Sequence, residues 1–305
     1  MPGFTWYQLI TIRFRSQLFL GLLFGIIALL YTLPIFKDIN NWGIQDWDQH
    51  LFYHGVPRTT LLEYGQLPLW NPYYVGGTVM LANPQSRVLS PSFLLILLFG
   101  PVAGLKVDIW LHLFIGLPGT YLLARHYQLG RAAALVSAFV FNLSSIYALN
   151  LTVGMTWFMS VMYLPWAFLF YLKALQNWRY APVSGLFLVL MFFGGGAYPL
   201  SITLLFLGVY ALLLAFLRIY PIRQLALVLT IIVLVTLCLG AIKFLPAIEF
   251  QRQHPRTVYD YSGYSLNGLR YALLNRRQTL DAIANLPIEQ RGFMDGVTGG
   301  MDENG

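Results

Sequence analysis

The chain has 305 residues, 57% of them apolar and only 10% charged, with 19 Lys and Arg against 12 Asp and Glu. A soluble domain carries roughly 25% charge, so a soluble globule is excluded, as are a disordered chain, a collagen and a coiled coil. The single cysteine, Cys238, excludes a disulfide framework and a cysteine-based zinc or iron–sulfur site. What remains is an integral membrane protein, and its long apolar runs make it an all-α one.

The formal charge of +7 is placed for a membrane rather than for nucleic acid. All 12 acids fall in two groups, Asp38 to Asp108 and Glu249 to Glu303, and none lies between residues 109 and 248. That acid-free stretch carries three basic pairs, Arg125 with Arg131, Lys173 with Arg179, and Arg218 with Arg223. About 40 apolar residues separate one pair from the next, room for one helical hairpin at about 20 residues per crossing. Short basic loops without acids stay on the cytoplasmic side, and Arg13 and Arg15 put the N-terminus there too.

In chain order the apolar runs predict seven spans, at residues 16–36, 107–124, 133–151, 157–173, 182–196, 200–217 and 224–245. The first is too long for a signal peptide and lacks a small-residue cleavage site. Pro118 and Pro165, inside the second and fourth spans, predict kinks. An odd number of crossings places residues 37–106 and 246–305 outside. The expected organisation is a membrane module over 1–245 with an outer loop at 37–106, followed by an external segment at 246–305.

A connector of about seventy residues is long enough to be functional. Its segment DWDQHLFYH, residues 46–54, read as a helix, puts Asp46, Gln49, His50, Tyr53 and His54 on one polar face. Trp47, Leu51, Leu61 and Leu62 supply an apolar side for the membrane interface. Asp46 has two readings, an N-cap with Gln49 closing a capping box, and an exposed carboxylate acting as a general base. Asp46 and Asp48 form a D-x-D pair, and Mg²⁺ or Mn²⁺ is the candidate metal if there is one. Carboxylates two residues apart on a helix diverge by about 200°, which argues against an essential metal unless Asp46 precedes the first turn. His50 and His54 have the spacing of metal ligands, without a third. From residue 64 to 91 the chain reads YGQLPLWNPYYVGGTVMLANPQSRVLSP, with turn signals at Asn71–Pro72 and Asn83–Pro84 and neither a strand nor a helix period.

Taken together, the D-x-x-Q from Asp46, GQLPLWNPY, GG, ANPQ and SP resemble the YfhO-type bacterial membrane protein family, a branch of the GT-C glycosyltransferase superfamily. The resemblance is clearest over 46–91 and extends through the span pattern to Leu245, Pro246 and Glu249. It implies a seven-span GT-C-like module with a catalytic acid in the first outer loop. Asp46 matches that acid first and Asp48 second. It also implies a polyprenyl-phosphate-linked sugar donor, a glycan or lipid acceptor in the cell envelope, and residence in the bacterial plasma membrane. The family runs longer, so the chain is expected to be an N-terminal fragment.

Sugar transfer from a lipid phosphate needs a base for the acceptor hydroxyl and positive charge on the leaving phosphate. Gln49 and His50 are candidates to hold substrate, and Arg58, Arg87, Lys243 and Arg256 to hold the phosphate. Each of these cations has an ordinary surface or headgroup contact as its alternative, and Lys243 in particular could simply snorkel. Asp108 and His112, one turn apart in the second span, read as a functional or a hydrogen-bonded pair. The rival function is a transporter or lipid flippase, for which GGGAYP at 194–199 would be a broken helix in a substrate path. The simpler reading of that segment is an outer turn. The sequons at Asn142 and Asn150 fall in or beside a span and are read as chance.

Overall fold

An apolar run in hydrocarbon satisfies its backbone by becoming a helix, and the long runs of this chain do so. The computed structural model describes residues 6–255, apart from 42, 44 and 75, together with residue 274. The chain divides into two compact units, Met1–Arg252 and Gln253–Gly305. Among the described residues, six helices are long and apolar enough to cross a membrane.

The first, α1, is Trp6–Phe36, apolar from Gln17. The long loop after it carries α2 (Trp47–Leu62), the short antiparallel strands β1 (Trp70–Asn71) and β2 (Thr78–Val79), and α3 (Phe93–Phe99). The strand pair departs from the expectation for 64–91. Two residues per strand are too few to show a period, and the hairpin places Trp70 opposite Val79.

Gly100 then starts α4 (Pro101–His126). The third span is broken into α5 (Arg131–Asn142) and α6 (Ser145–Thr152). The break falls at a polar knot, where the buried Asn142 donates from Nδ2 to Thr120 Oγ1 at 2.9 Å and to Ala138 O at 2.8 Å. Gly116 of α4 lies against it, since a Cβ there would stand 2.1 Å from Asn142 Oδ1. Small residues at helix contacts of this kind let membrane helices approach closely.

The fourth span begins as a 3-10 helix, Thr156–Tyr163, and continues as α7 (Leu164–Gln176). Pro165 thus sits in the first turn of α7, where its missing N–H leaves no bond unmade. It marks the change of helix type rather than a kink within one helix. Pro118 does lie inside α4, and the nearby Ile115 carbonyl accepts a bond from Trp166 Nε1 at 2.8 Å.

The expected fifth span, 182–196, is α8 (Ala181–Phe193), preceded by a single 3-10 turn. Its 13 residues rise about 20 Å at 1.5 Å each, short of a hydrocarbon core about 30 Å thick. The helix stops because Gly194–Gly196 turn the chain into α9 (Ala197–Phe216). The last, α10 (Ile222–Gln253), runs well past the expected end at residue 245.

The basic connectors gather at one end of the bundle. Tyr127 and Tyr210 meet there through their hydroxyls at 3.1 Å, and Gln224 Nε2 donates to Leu175 O. The long loop, the 152–156 junction and the Gly194–Gly196 turn gather at the other. Two apolar clusters form the interior. One joins α7, α8, α9 and α10 through Tyr171, Leu188, Leu207 and Ile232. The other joins α1, α4, α5 and the 3-10 helix through Phe24, Leu113, Ala138 and Met159.

Candidate functional site

Asp46 occupies the N-cap position of α2 with φ −70° and ψ 0°, and its side chain makes no cap bond. Its N–H donates to Val153 O at 3.2 Å and its carbonyl accepts from His50 N at 3.0 Å. The carboxylate is exposed. Asp48, in the first turn, is also exposed, and its Oδ1 accepts from Gln49 N at 2.7 Å. Gln49 donates from Nε2 to Tyr53 Oη at 2.8 Å instead of reaching back to close a capping box.

The single polar wall expected along α2 is split. Of its members Asp46 and Gln49 are exposed, while His50, Tyr53 and His54 face inward and are buried. Helical spacing groups residues on a face but does not say which face the bundle covers. His50 Nδ1 pairs with Thr156 Oγ1 at 3.0 Å. His54 Nδ1 meets the His50 carbonyl, and its ring stacks on Phe93. Neither imidazole is presented as a ligand. Asp46 lies ahead of the first turn, as a shared ion with Asp48 would require. No group of three or more His, Cys, Asp or Glu side chains that could hold a metal gathers among the described residues.

Burial first and the Arg87 charge second hold His50 down at about 4 and His54 at about 3. Both rings stay neutral in the folded protein where the unfolded chain, titrating near 6.5, takes up protons. Stability is therefore expected to fall as the pH drops below about 6.5, with the His50 contribution fully lost below about 4. That interval corresponds to about 3 kcal/mol. Unfolding temperature followed from about pH 7 to pH 4 should show a shallower slope in His50→Gln than in the parent. Equal slopes would place the acid-sensitive group elsewhere.

Beneath the loop lies an ionic cluster. Arg87 and Asp108, 2% and 1% exposed, pair at 2.5 Å between Nη2 and Oδ2. Ser92 Oγ donates to the same carboxylate oxygen at 3.1 Å, and His112 Nδ1 stands 2.8 Å from Oδ1. The expected Asp108–His112 pair is thus present. Its third member, Arg87, was out of reach of helical spacing because it lies in the loop.

Two of the candidate phosphate cations lie close together, Lys243 bonding the carbonyl of Ser86 beside Arg87, but both are buried and already paired. Arg87 is committed to Asp108. Lys243, 1% exposed, donates from Nζ to Pro84 O at 3.0 Å, Ser86 O at 2.7 Å and Phe192 O at 3.1 Å. Those three bonds use all the donors of an ammonium, which also lies 4.7 Å from the Phe192 ring centroid. Arg58 donates from Nε to Ile96 O at 3.1 Å and closes the end of α3. It lies twelve residues after Asp46, about 18 Å along the chain's helical rise. Arg256 falls outside the described residues.

The GGGAYP segment is a filled turn. Gly195 has φ +81°, and a Cβ there would come within 2.8 Å of Gln85 O; one on Gly196 would come within 1.9 Å of Ser160 Oγ. Two apolar grooves open on the flanks of the bundle. One, of about 530 Å³, lies along Val140, Tyr147 and Phe158, and the other, of about 600 Å³, along Leu95, Phe114 and Trp166. Neither is lined by Asp46 or Asp48.

The sequence could not have flagged Thr156 or the Val153 carbonyl, which hold the N-terminal turn of α2. Compared with protein-family models, with curated proteins and with solved structures, the chain gives no match.

Proposed function

We propose that the chain is a membrane glycosyltransferase of GT-C type, taking a sugar from a polyprenyl-phosphate donor with Asp46 as general base. The observation that supports this reading most is the setting of Asp46. Its carboxylate is exposed and unbonded, while its backbone is fixed to a second element at the loop end of the bundle. A base needs a free carboxylate held in a defined place.

In the step proposed, an acceptor hydroxyl gives its proton to the Asp46 carboxylate as its oxygen bonds to the anomeric carbon. The bond from that carbon to the phosphate oxygen breaks, and the electron pair leaves with the polyprenyl phosphate. Asp46 then passes its proton to water. Asp48, whose Oδ1 already accepts from Gln49 N, is the second choice. If an ion joined the two carboxylates it would be Mg²⁺ or Mn²⁺ and would supply charge to the leaving phosphate.

The direct test is transfer of a labelled sugar from a polyprenyl-phosphate donor by the purified, lipid-reconstituted protein. Donor-dependent turnover supports the reading, and none from a folded full-length protein removes it. The same reading puts the basic connectors in the cytoplasm and the outer loop outside. A cysteine at position 128 should resist an impermeant thiol reagent in intact cells, while one at position 67 should react. Labelling at 128 from outside would reverse the topology.

A further inference from the structure

Four contacts join residues 46–50 to the junction at 152–156. Asp46 N donates to Val153 O at 3.2 Å, and Trp47 Nε1 donates to Thr152 O at 3.3 Å. His50 Nδ1 pairs with Thr156 Oγ1 at 3.0 Å, in a buried setting. The fourth contact is a backbone approach that only glycine permits. Gly154 has φ +88°, and a Cβ on it would stand 2.4 Å from Trp47 N and 2.6 Å from the carbonyl carbon of Asp46.

The junction is short and stiffly framed. On one side α6 ends at Thr152, and on the other the 3-10 helix begins at Thr156. The Asp46 side chain makes no cap bond and stands exposed. Its carboxylate therefore takes its place from its backbone alone, and that backbone lies against Val153 and Gly154. Asp48 differs, since its own carboxylate bonds to the Gln49 N–H.

We infer that Gly154 and Thr156 are positioning residues for Asp46, the 152–156 junction setting where the carboxylate stands. This rests on the reading of Asp46 as the base. Gly154→Ala adds one methyl against the Asp46–Trp47 peptide. Displacement of a catalytic group by about 1 Å costs about 10²-fold in rate. Thr156→Val removes the hydroxyl and keeps the shape, whereas Thr156→Ser keeps the hydroxyl. Losing one hydrogen bond of about 1 kcal/mol corresponds to about a fivefold change.

The test combines two measurements on the full chain in lipid. Hydrogen exchange of the segment at 45–50 should quicken by about tenfold or more in Gly154→Ala, and by about fivefold in Thr156→Val. The far end of α2, held by Arg58 on Ile96 O, should keep its rate. In sugar transfer, kcat should fall about 10²-fold in Gly154→Ala and about fivefold in Thr156→Val, with KM nearly constant. Thr156→Ser should restore both readouts. Unchanged exchange at 45–50 in Gly154→Ala overturns the inference. So does quickened exchange with an unaltered kcat. If the parent protein transfers no sugar while exchange responds as expected, the junction's hold on Asp46 stands and the enzyme reading is what falls.

Discussion

Replacing Asp46 by asparagine is expected to lower sugar transfer by about 10²–10⁴-fold, the usual contribution of a general base. Thermal stability should stay within about 0.5 kcal/mol of the parent. The substitution keeps the shape and removes the charge. Loss of an N-cap often confounds such a comparison, but the Asp46 side chain makes no cap bond, and its two backbone bonds use N–H and C=O. Stability therefore has little to lose. Asp48→Asn is the matched control, because Asp48 is also exposed and only two residues away. It should retain most of the turnover. Wild-type turnover in Asp46→Asn with a dead Asp48→Asn would reverse the assignment. Full turnover in both would remove the base from this segment altogether.

The second large effect concerns stability. Asp108→Asn should destabilise the protein by about 3–5 kcal/mol, because it leaves the Arg87 guanidinium buried without its counter-charge. Arg87 is 2% exposed and can reach no water without moving the loop that carries it. Replacing the pair together, as Arg87→Met with Asp108→Leu, should recover most of the loss, since well-packed apolar groups replace buried ion pairs at little cost. Unfolding of the two single variants and the double variant gives the coupling directly. A near-neutral Asp108→Asn would show that the pair is not what holds the loop to α4.

Much of the helical framework was legible. The basic pairs at Arg125 and Arg131, Lys173 and Arg179, and Arg218 and Arg223 bracket turns at one end of the bundle. The apolar runs between them became helices within a few residues of the expected bounds. Length was harder to read where a turn shares the composition of a span. Residues 194–196 continue the apolar run, yet Gly195 takes φ +81° and α8 ends at Phe193. The inside of α2 was not legible at all. His50 and His54 have the polarity of surface residues and the spacing of ligands. Only the packing of Thr156 and Phe93 against them shows that they point inward. The same limit applies to Arg87, which read as a phosphate-binding cation because its partner, Asp108, lies across the fold. Asp46, Asp48 and Gln49 are the exposed ones among the described site residues, and no cation among the described phosphate candidates is bonded to them.

The three-carbonyl grip on Lys243 has a consequence for how the protein is put together during synthesis. An ammonium at that depth in an apolar helix is costly in hydrocarbon unless its donors are met. Two of its acceptors, Pro84 O and Ser86 O, belong to the long loop before α3 and lie 159 and 157 residues earlier in the chain. The third, Phe192 O, ends α8. α10 is therefore expected to seat fully only after both the loop and the α8 turn have reached their final places. A chain whose long loop is misplaced should hold α10 less firmly.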